Sequence, residues 1–314
     1  MIQLKKPKFW DYTKPNFLSY LLLPFTIPVI INNFFLNLKN NKIIKQNTKK
    51  ICIGNIYVGG TAKTPLTIKI YQILDDLGFE VATIKKYYKD QIDEQKILSE
   101  KTKMYCFKSR REALDEAVKD NVSIAIFDDG LQDKSMNYDI KFVCFNNTKC
   151  IGNGFLIPAG PLREKIDSVS KYDVAFINGN ENENHRLKLL IKKYNKSIEI
   201  FESHYKTINL SELNINDKYL IFSGIGNPES FKETLLENKF SVIKEIVFPD
   251  HYKYTQADID EIKSQAKKFN AKILTTKKDF VKINSNENTD IKFLDVELDI
   301  KDKKRLINFL KLHI

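Results

Sequence analysis

Residues 50–65 read KICIGNIYVGGTAKTP, a short β-rich run that ends in a glycine-bearing loop and then meets a lysine, a threonine and a proline. The proline suits the first turn of a helix, because its missing N–H would be unsatisfied there anyway. A strand, a glycine loop and a helix start in this order form the context in which a loop binds phosphate. Glycines let backbone N–H groups turn toward phosphate oxygens, and the helix N-terminus adds a partial positive charge. On this reading Tyr57, Val58, Gly59, Gly60, Thr61, Ala62, Lys63 and Thr64 form the cradle. Lys63 reaches the β- and γ-phosphates of ATP, and Thr64 holds Mg2+ through its hydroxyl. The match to G-x-x-x-x-G-K-[ST] is imperfect, since Tyr57 takes the first glycine position and Ala62 precedes the lysine. The pattern alone leaves open a plain strand–turn–helix connection with a solvated lysine.

Downstream, VSIAIF at residues 122–127 is a continuous apolar, largely β-branched run, the kind buried on both faces of a parallel sheet. Asp128, Asp129, Gly130, Leu131 and Gln132 follow it directly. Carboxylates at the C-terminal end of a parallel strand sit where α/β folds bind ligands, and in a phosphate-loop protein one of them coordinates Mg2+. Asp128 and Asp129 are therefore candidate metal residues. Side chains alternate along a strand, so the two point apart unless the turn bends them. One is then expected to serve the metal while the other orients Lys63 or a loop. A solvated Asp-Gly turn is the alternative.

A strand is also expected at 79–84, similar runs recur at 140–145 and 172–178, and stretches of helical periodicity stand at 65–77 and 110–119. Strands alternating with helices predict a doubly wound α/β domain. The style repeats at 218–222, 241–248, 272–275 and 291–296, with helices expected near 229–238, 255–270 and 300–312. Thr255 is a plausible N-cap, with Asp258 three residues on. These features divide the chain into a segment 1–40, a phosphate-loop domain 41–210 and a smaller C-terminal α/β domain 211–314.

The net charge is +11 and uneven: the first fifty residues carry nine lysines against a single acid, Asp11. Between those lysines, residues 15–38 (PNFLSYLLLPFTIPVIINNFFLNL) hold no charge. A helix of these 24 residues would be roughly 36 Å long against a bilayer core of ~30 Å. Pro24 and Pro28 break or kink it, so a helix that enters or lies on the membrane is expected, with lysines on anionic headgroups. A full span and a helix buried in a soluble fold are the alternatives. The four cysteines show no C-x-x-C pair and read as buried, reduced thiols.

Several longer segments then fit one family. GNIYVGGTAKTP at 54–65, DDGLQ at 128–132, GNGFLIPAGPLRE at 152–164, FSGIGNPESF at 222–231, FPDHYKYT at 248–255 and TTKKDFVK at 275–282 stand in one order along most of the chain. The chain resembles tetraacyldisaccharide 4′-kinase, the lipid A 4′-kinase of Gram-negative bacteria. The resemblance implies two α/β domains with a membrane-associated N-terminal helix. It implies transfer from Mg-ATP to the 4′-hydroxyl of a disaccharide lipid 1-phosphate at the cytoplasmic face of the inner membrane. It also implies an acid–histidine pair as base, which assigns Asp93 as base and His251 as the group that orients or tunes it. Read unaided, the IDEQ segment at 92–95 is an ordinary charged helix start.

Arg163, at the end of a rigid Gly/Pro loop, is a candidate to bind a phosphate of ATP or of the substrate. An Arg163–Glu164 neighbourhood that merely locks the loop is equally compatible. Asn153 is a candidate polar contact. Where the family has Ser-Arg-Gly-Tyr-Gly after its second strand, this chain has Lys85, Lys86, Tyr87, Tyr88 and Lys89. Asp133 replaces a histidine, Gln95 a proline and Tyr252 a second histidine. These departures bear on acceptor choice and efficiency, and they keep two rivals in view: a related kinase with a different lipid or sugar acceptor, and a membrane-tethered nucleotide-binding protein without kinase activity. A nucleic-acid partner is not expected, because the charge flanks an apolar stretch rather than an aromatic-studded groove.

Overall fold

The structure is a computed structural model that describes residues 6–38, 47–179, 184–283 and 289–314. Lys5, Lys39, Lys42 and Lys45 of the basic segment, and positions 180–183 of the polar stretch at 179–185, lie outside the described residues. Contacts divide the chain into two units. One comprises Pro7–Tyr88, Leu98–His204 and Leu298–Ile314; the other includes Lys89–Ile97 and Tyr205–Glu297.

The elements run in chain order α1 (Phe17–Leu21), α2 (Ile27–Leu38), β1 (Lys49–Gly54), α3 (Lys63–Asp76), β2 (Val81–Lys86), α4 (Ile92–Lys101), β3 (Met104–Phe107) and α5 (Arg110–Lys119). There follow β4 (Ile124–Asp128), β5 (Ile140–Asn146), β6 (Val174–Asn178), α6 (Asn184–Tyr194), β7 (Glu199–Thr207), β8 (Lys218–Ser223), α7 (Pro228–Glu237) and β9 (Ser241–Val247). Last come α8 (Gln256–Lys268), β10 (Lys272–Thr276), α9 (Lys277–Phe280), β11 (Ile291–Leu294), β12 (Val296–Ile300) and α10 (Lys303–His313).

Eight strands form one sheet in the order β12-β7-β6-β5-β1-β4-β2-β3. The pairs from β3 to β7 are all parallel. In β1, β4 and β6 nearly every side chain is buried, because helices cover both faces. β1 lies beside β4 with Ile53 opposite Asp128, so the glycine loop and the acidic turn leave the sheet at the same edge. That register places the site.

The second unit has a four-stranded parallel sheet, β11-β10-β8-β9. Alternation along its strands splits its core in two. Tyr219, Ile221 and Leu274 pack with Phe231 and Leu235 of α7, while Leu220, Phe222 and Ile273 pack with Ile259 and Ile262 of α8. Thr255 caps α8 in a reciprocal box with Asp258, as its sequence predicts.

The apolar N-terminal stretch departs from a single helix. It forms α1, a 3₁₀ turn at Leu23–Thr26 and α2. Pro24 lies within the turn, where it supplies no N–H, and Thr26 bonds the Leu23 carbonyl at 2.7 Å. No helix among the described residues is long and apolar enough to cross a membrane. The strand expected at 291–296 is two strands, β11 and β12, parted at Asp295. None of the four cysteines forms a disulfide; Cys52 and Cys144 are buried, and burial pushes both thiols up.

Candidate active site

The phosphate-loop candidate is built as the motif requires. β1 ends at Gly54, α3 begins at Lys63, and Ala62 precedes it in the left-handed region, at φ 63°. Glycine serves best at that position, so Ala62 carries a strain of about 1–2 kcal/mol there. Buried Asn55 clamps the loop through a 2.7 Å hydrogen bond to the Thr61 hydroxyl. Lys63 and Thr64 meet the acidic turn, at Asp129 and Asp128, while Gly59 and Thr61 are held by Asn55 beside the end of β1. Tyr57 and Val58 point elsewhere. Tyr57 is buried with its hydroxyl donating to Asp11, and the Val58 N–H is spent on the Pro161 carbonyl at 2.9 Å.

The two acids of the turn divide their work. Asp128 closes β4 and is fully buried; its Oδ2 accepts from Thr64 Oγ1 at 3.3 Å and its Oδ1 from Thr67 at 3.2 Å. Asp129 takes φ 52°, the bend that turns its side chain. Its Oδ1 lies 3.7 Å from Lys63 Nζ and 3.0 Å from Arg163 Nη1. Burial pushes the Asp129 carboxyl up, but the charges of Lys63 and Arg163 outweigh it and hold the group below its ordinary range. One carboxylate thus gathers two cations at the mouth of the loop.

Three more groups shape the site; in the sequence Lys85 and Gln132 stand only as parts of family segments, and Arg110 carries no signal. Lys85 of β2 is 1% exposed and places Nζ 2.5 Å from Asp128 Oδ2. Arg110, at the start of α5, donates to the carbonyls of Asp128 at 3.3 Å and Asp129 at 2.6 Å and pairs with Asp133 at 3.1 Å, fixing the turn. Gln132 bridges the Asn55 carbonyl at 2.9 Å and Glu164 at 2.8 Å, and Tyr172 donates to the same Glu164. Glu164 therefore locks the loop, while Arg163 faces Asp129.

Asn153 is not among the groups gathered at the phosphate loop. Its amide donates to Ser19 Oγ and to the Ala159 carbonyl, both at 2.9 Å, and its own N–H meets the Trp10 carbonyl at 3.0 Å. It ties the Gly/Pro loop to the N-terminal segment. Trp10 Nε1 donates to the Pro158 carbonyl, and Asn33 of α2 donates to the Arg163 carbonyl at 2.9 Å.

The second unit assembles the other pair. Asp93 and His251, far apart in sequence, meet with Nδ1 3.0 Å from Oδ1 and 3.1 Å from Oδ2. Lys282 Nζ lies 3.4 Å and Lys278 Nζ 3.8 Å from Asp93 Oδ2. Lys278 also pairs with Glu94 and Asp250, each at 3.3 Å. Burial pushes Asp93 up, yet the His251 hydrogen bond and the two lysines outweigh it, so its carboxyl lies below the usual range. For Lys278, burial pulls the other way, and Asp250, Glu94 and Asp93 raise it well above an ordinary lysine. Neither lysine stood out in sequence; both lie in the segment 275–282, quoted only for its resemblance.

The donor set suits both expected ligands. An ammonium at a helix N-terminus suits phosphate. Thr64 Oγ1 and the Asp128 carboxylate are hard oxygen ligands of the kind Mg2+ takes when phosphate and water complete its shell. Among the described residues no group of three or more His, Cys, Asp or Glu converges as a protein-only metal cage.

Parallel sheet, phosphate loop and adjoining acidic turn together define an α/β protein of the phosphate-loop nucleotide-binding class. The family model for LpxK, tetraacyldisaccharide-1-P 4′-kinase, matches residues 18–104 and 92–314. The chain belongs to this family. It is 46% identical over 310 residues to a tetraacyldisaccharide 4′-kinase from Pelagibacter ubique, covering 98% of both chains. With the enzyme of that name from Rickettsia canadensis it shares 34% over 326 residues, 98% of this chain and 96% of the other. The crystal structure of LpxK from Aquifex aeolicus in complex with ATP superposes with a TM-score of 0.69 at 20% identity, over 94% of this chain and 99% of that one. That last likeness carries the fold.

Proposed function

We propose that this protein is an ATP-dependent kinase that phosphorylates the 4′-hydroxyl of a tetraacyldisaccharide 1-phosphate, a step of lipid A synthesis. Family membership over nearly the whole chain supports the reaction class and the acceptor. The observation that carries the chemistry is the convergence of Lys63 and Thr64 on Asp129 and Asp128 at the end of the parallel sheet.

Phosphoryl transfer to a sugar hydroxyl needs a positioned donor, neutralised charge and a group that takes the proton. Lys63 and the first turn of α3 bind the phosphates of ATP. Thr64 and Asp128 would hold Mg2+, which would supply further neutralisation of phosphate charge when bound. Asp129 keeps Lys63 and Arg163 aimed at the same charge. Asp93, ionised through the neutral pH range, accepts the proton of the 4′-hydroxyl, and His251 fixes its orientation. The disaccharide lipid reaches the enzyme from a membrane surface, on which the apolar N-terminal helices rest, at the cytoplasmic face of the inner membrane of a Gram-negative bacterium.

The test is transfer from γ-labelled ATP to a tetraacyldisaccharide 1-phosphate in detergent micelles. Wild type is expected to transfer, and Lys63→Ala and Asp93→Ala each to lose at least about a hundredfold. Wild type that binds ATP but leaves the acceptor unlabelled would overturn the reading. Activity that survives in Asp93→Ala would keep the reaction and remove Asp93 as base.

A further inference from the structure

Among the described residues, Asp128 is the carboxylate that meets Thr64, and a cation of the protein already holds it. Lys85 Nζ stands 2.5 Å from Asp128 Oδ2, the same oxygen that accepts from Thr64. Both side chains are out of solvent, at 2% and 0% exposure. The other oxygen accepts from Thr67. The contact follows from the register of the sheet: Ile84 of β2 pairs with Phe127 of β4, which sets Lys85 beside Asp128. It is not a surface ion pair with two mobile arms, because β2 and β4 are neighbouring inner strands.

Resting on the nucleotide-site reading above, we infer that Lys85 is a resident counter-ion that competes with the divalent cation for Asp128. Two positive charges on one carboxylate oxygen repel each other strongly where water cannot screen them. A divalent cation binds Asp128 only if the Lys85 ammonium withdraws from Oδ2 or shares it at a cost. Metal binding is then weak until the phosphates of a nucleotide bring compensating negative charge. In the absence of metal, Lys85 keeps the buried carboxylate neutralised, so the turn at 128–129 stays folded in the ligand-free protein.

The measurement is Mn2+ affinity, read by electron paramagnetic resonance titration of the full chain with a non-hydrolysable ATP analogue held saturating, in wild type, Lys85→Met, Lys85→Gln and Lys85→Arg. Both neutral variants are expected to bind Mn2+ at least about tenfold more tightly than wild type. Lys85→Arg, which keeps the charge, stays within a few-fold of wild type. Without nucleotide, Mn2+ raises the melting temperature of the neutral variants and leaves wild type nearly unchanged. Lys85→Gln retains a hydrogen-bond donor to Asp128, so it guards against a Lys85→Met protein that does not fold. Equal or weaker Mn2+ binding by the neutral variants overturns the inference and makes Lys85 a structural ion pair only. Failure of wild type to bind a fluorescent ATP analogue, measured separately with Mg2+ in excess, would instead sink the nucleotide site itself.

Discussion

At the residue scale the clearest consequence lies with Asp93. Its carboxyl is held below the ordinary range by His251, Lys278 and Lys282 against the opposing effect of burial. A depressed folded-state value means the pairing stabilises the protein above the unfolded carboxyl value of about 3.9 and is lost as pH falls through the folded value. Asp93→Asn removes the charge and leaves two lysines facing an amide, at an expected cost of about 1–3 kcal/mol near pH 7. The gap between wild type and variant should shrink as the pH is lowered below 4. Urea unfolding of both proteins at pH 7 and pH 3.5 checks this; a gap that does not change with pH would mean that the pairing contributes no linkage. Legibility differed sharply among these residues. Lys63, Thr64, Asp128 and Asp129 announce themselves because strand, loop and chemistry are contiguous. Asp93 and His251 came only through resemblance, since nothing local to IDEQ says that a histidine from a remote loop will face it. Lys85 was seen as a departure from the family pattern, but its partner depends on strand register and burial, which are tertiary properties.

At the element scale, the readable pieces were those with strong periodicity or a cap. The helix at 110–119, the capping box at Thr255 and the buried run before Asp128 are examples. β3, α6 and β7 were not read out. β3 and β7 have half-exposed patterns, and β7 alternates polar residues along one face, so their apolar content is thin. The Gly/Pro loop at 152–164 was legible as rigid, but its role as the anchor of the N-terminal segment was not. Gly152 takes φ +58°, and a Cβ there would stand 2.1 Å from the Trp10 carbonyl oxygen. Gly152→Ala therefore meets both backbone strain and a backbone clash, which no side-chain rotation relieves. It should destabilise the protein by about 2 kcal/mol and loosen the segment around Trp10 first. Hydrogen exchange at the Asn153 amide, which donates to the Trp10 carbonyl, reads that loosening. Unchanged stability with unchanged protection would show that the loop does not depend on this approach.

At the scale of the whole molecule, the N-terminal helices and the turn between them present apolar side chains that stand exposed among the described residues. Phe17 is 78% exposed, Phe25 64% and Phe34 61%, although α2 is fastened to the body through Asn33. Contiguous exposed apolar surface of this kind marks an interaction site. Broken by Pro24 into pieces too short to span, it suits lying within the headgroup boundary of a bilayer, with Lys8 and Lys14 near the surface. Each buried phenylalanine contributes roughly 1.5–3 kcal/mol, and each lysine near an anionic surface about 1 kcal/mol. The full chain should therefore co-sediment with vesicles containing phosphatidylglycerol, and less so as salt is raised, because screening removes only the lysine contribution. Replacing Phe17, Phe25 and Phe34 together with Asp removes the apolar contribution and adds repulsion. The partition coefficient should drop at least about a hundredfold, while activity on a short-chain, micelle-free acceptor is retained. If wild type stays in the supernatant at low salt, the apolar face has some other occupant. If binding vanishes at moderate salt while the triple variant behaves as wild type, attachment is electrostatic and the phenylalanines play no part in it.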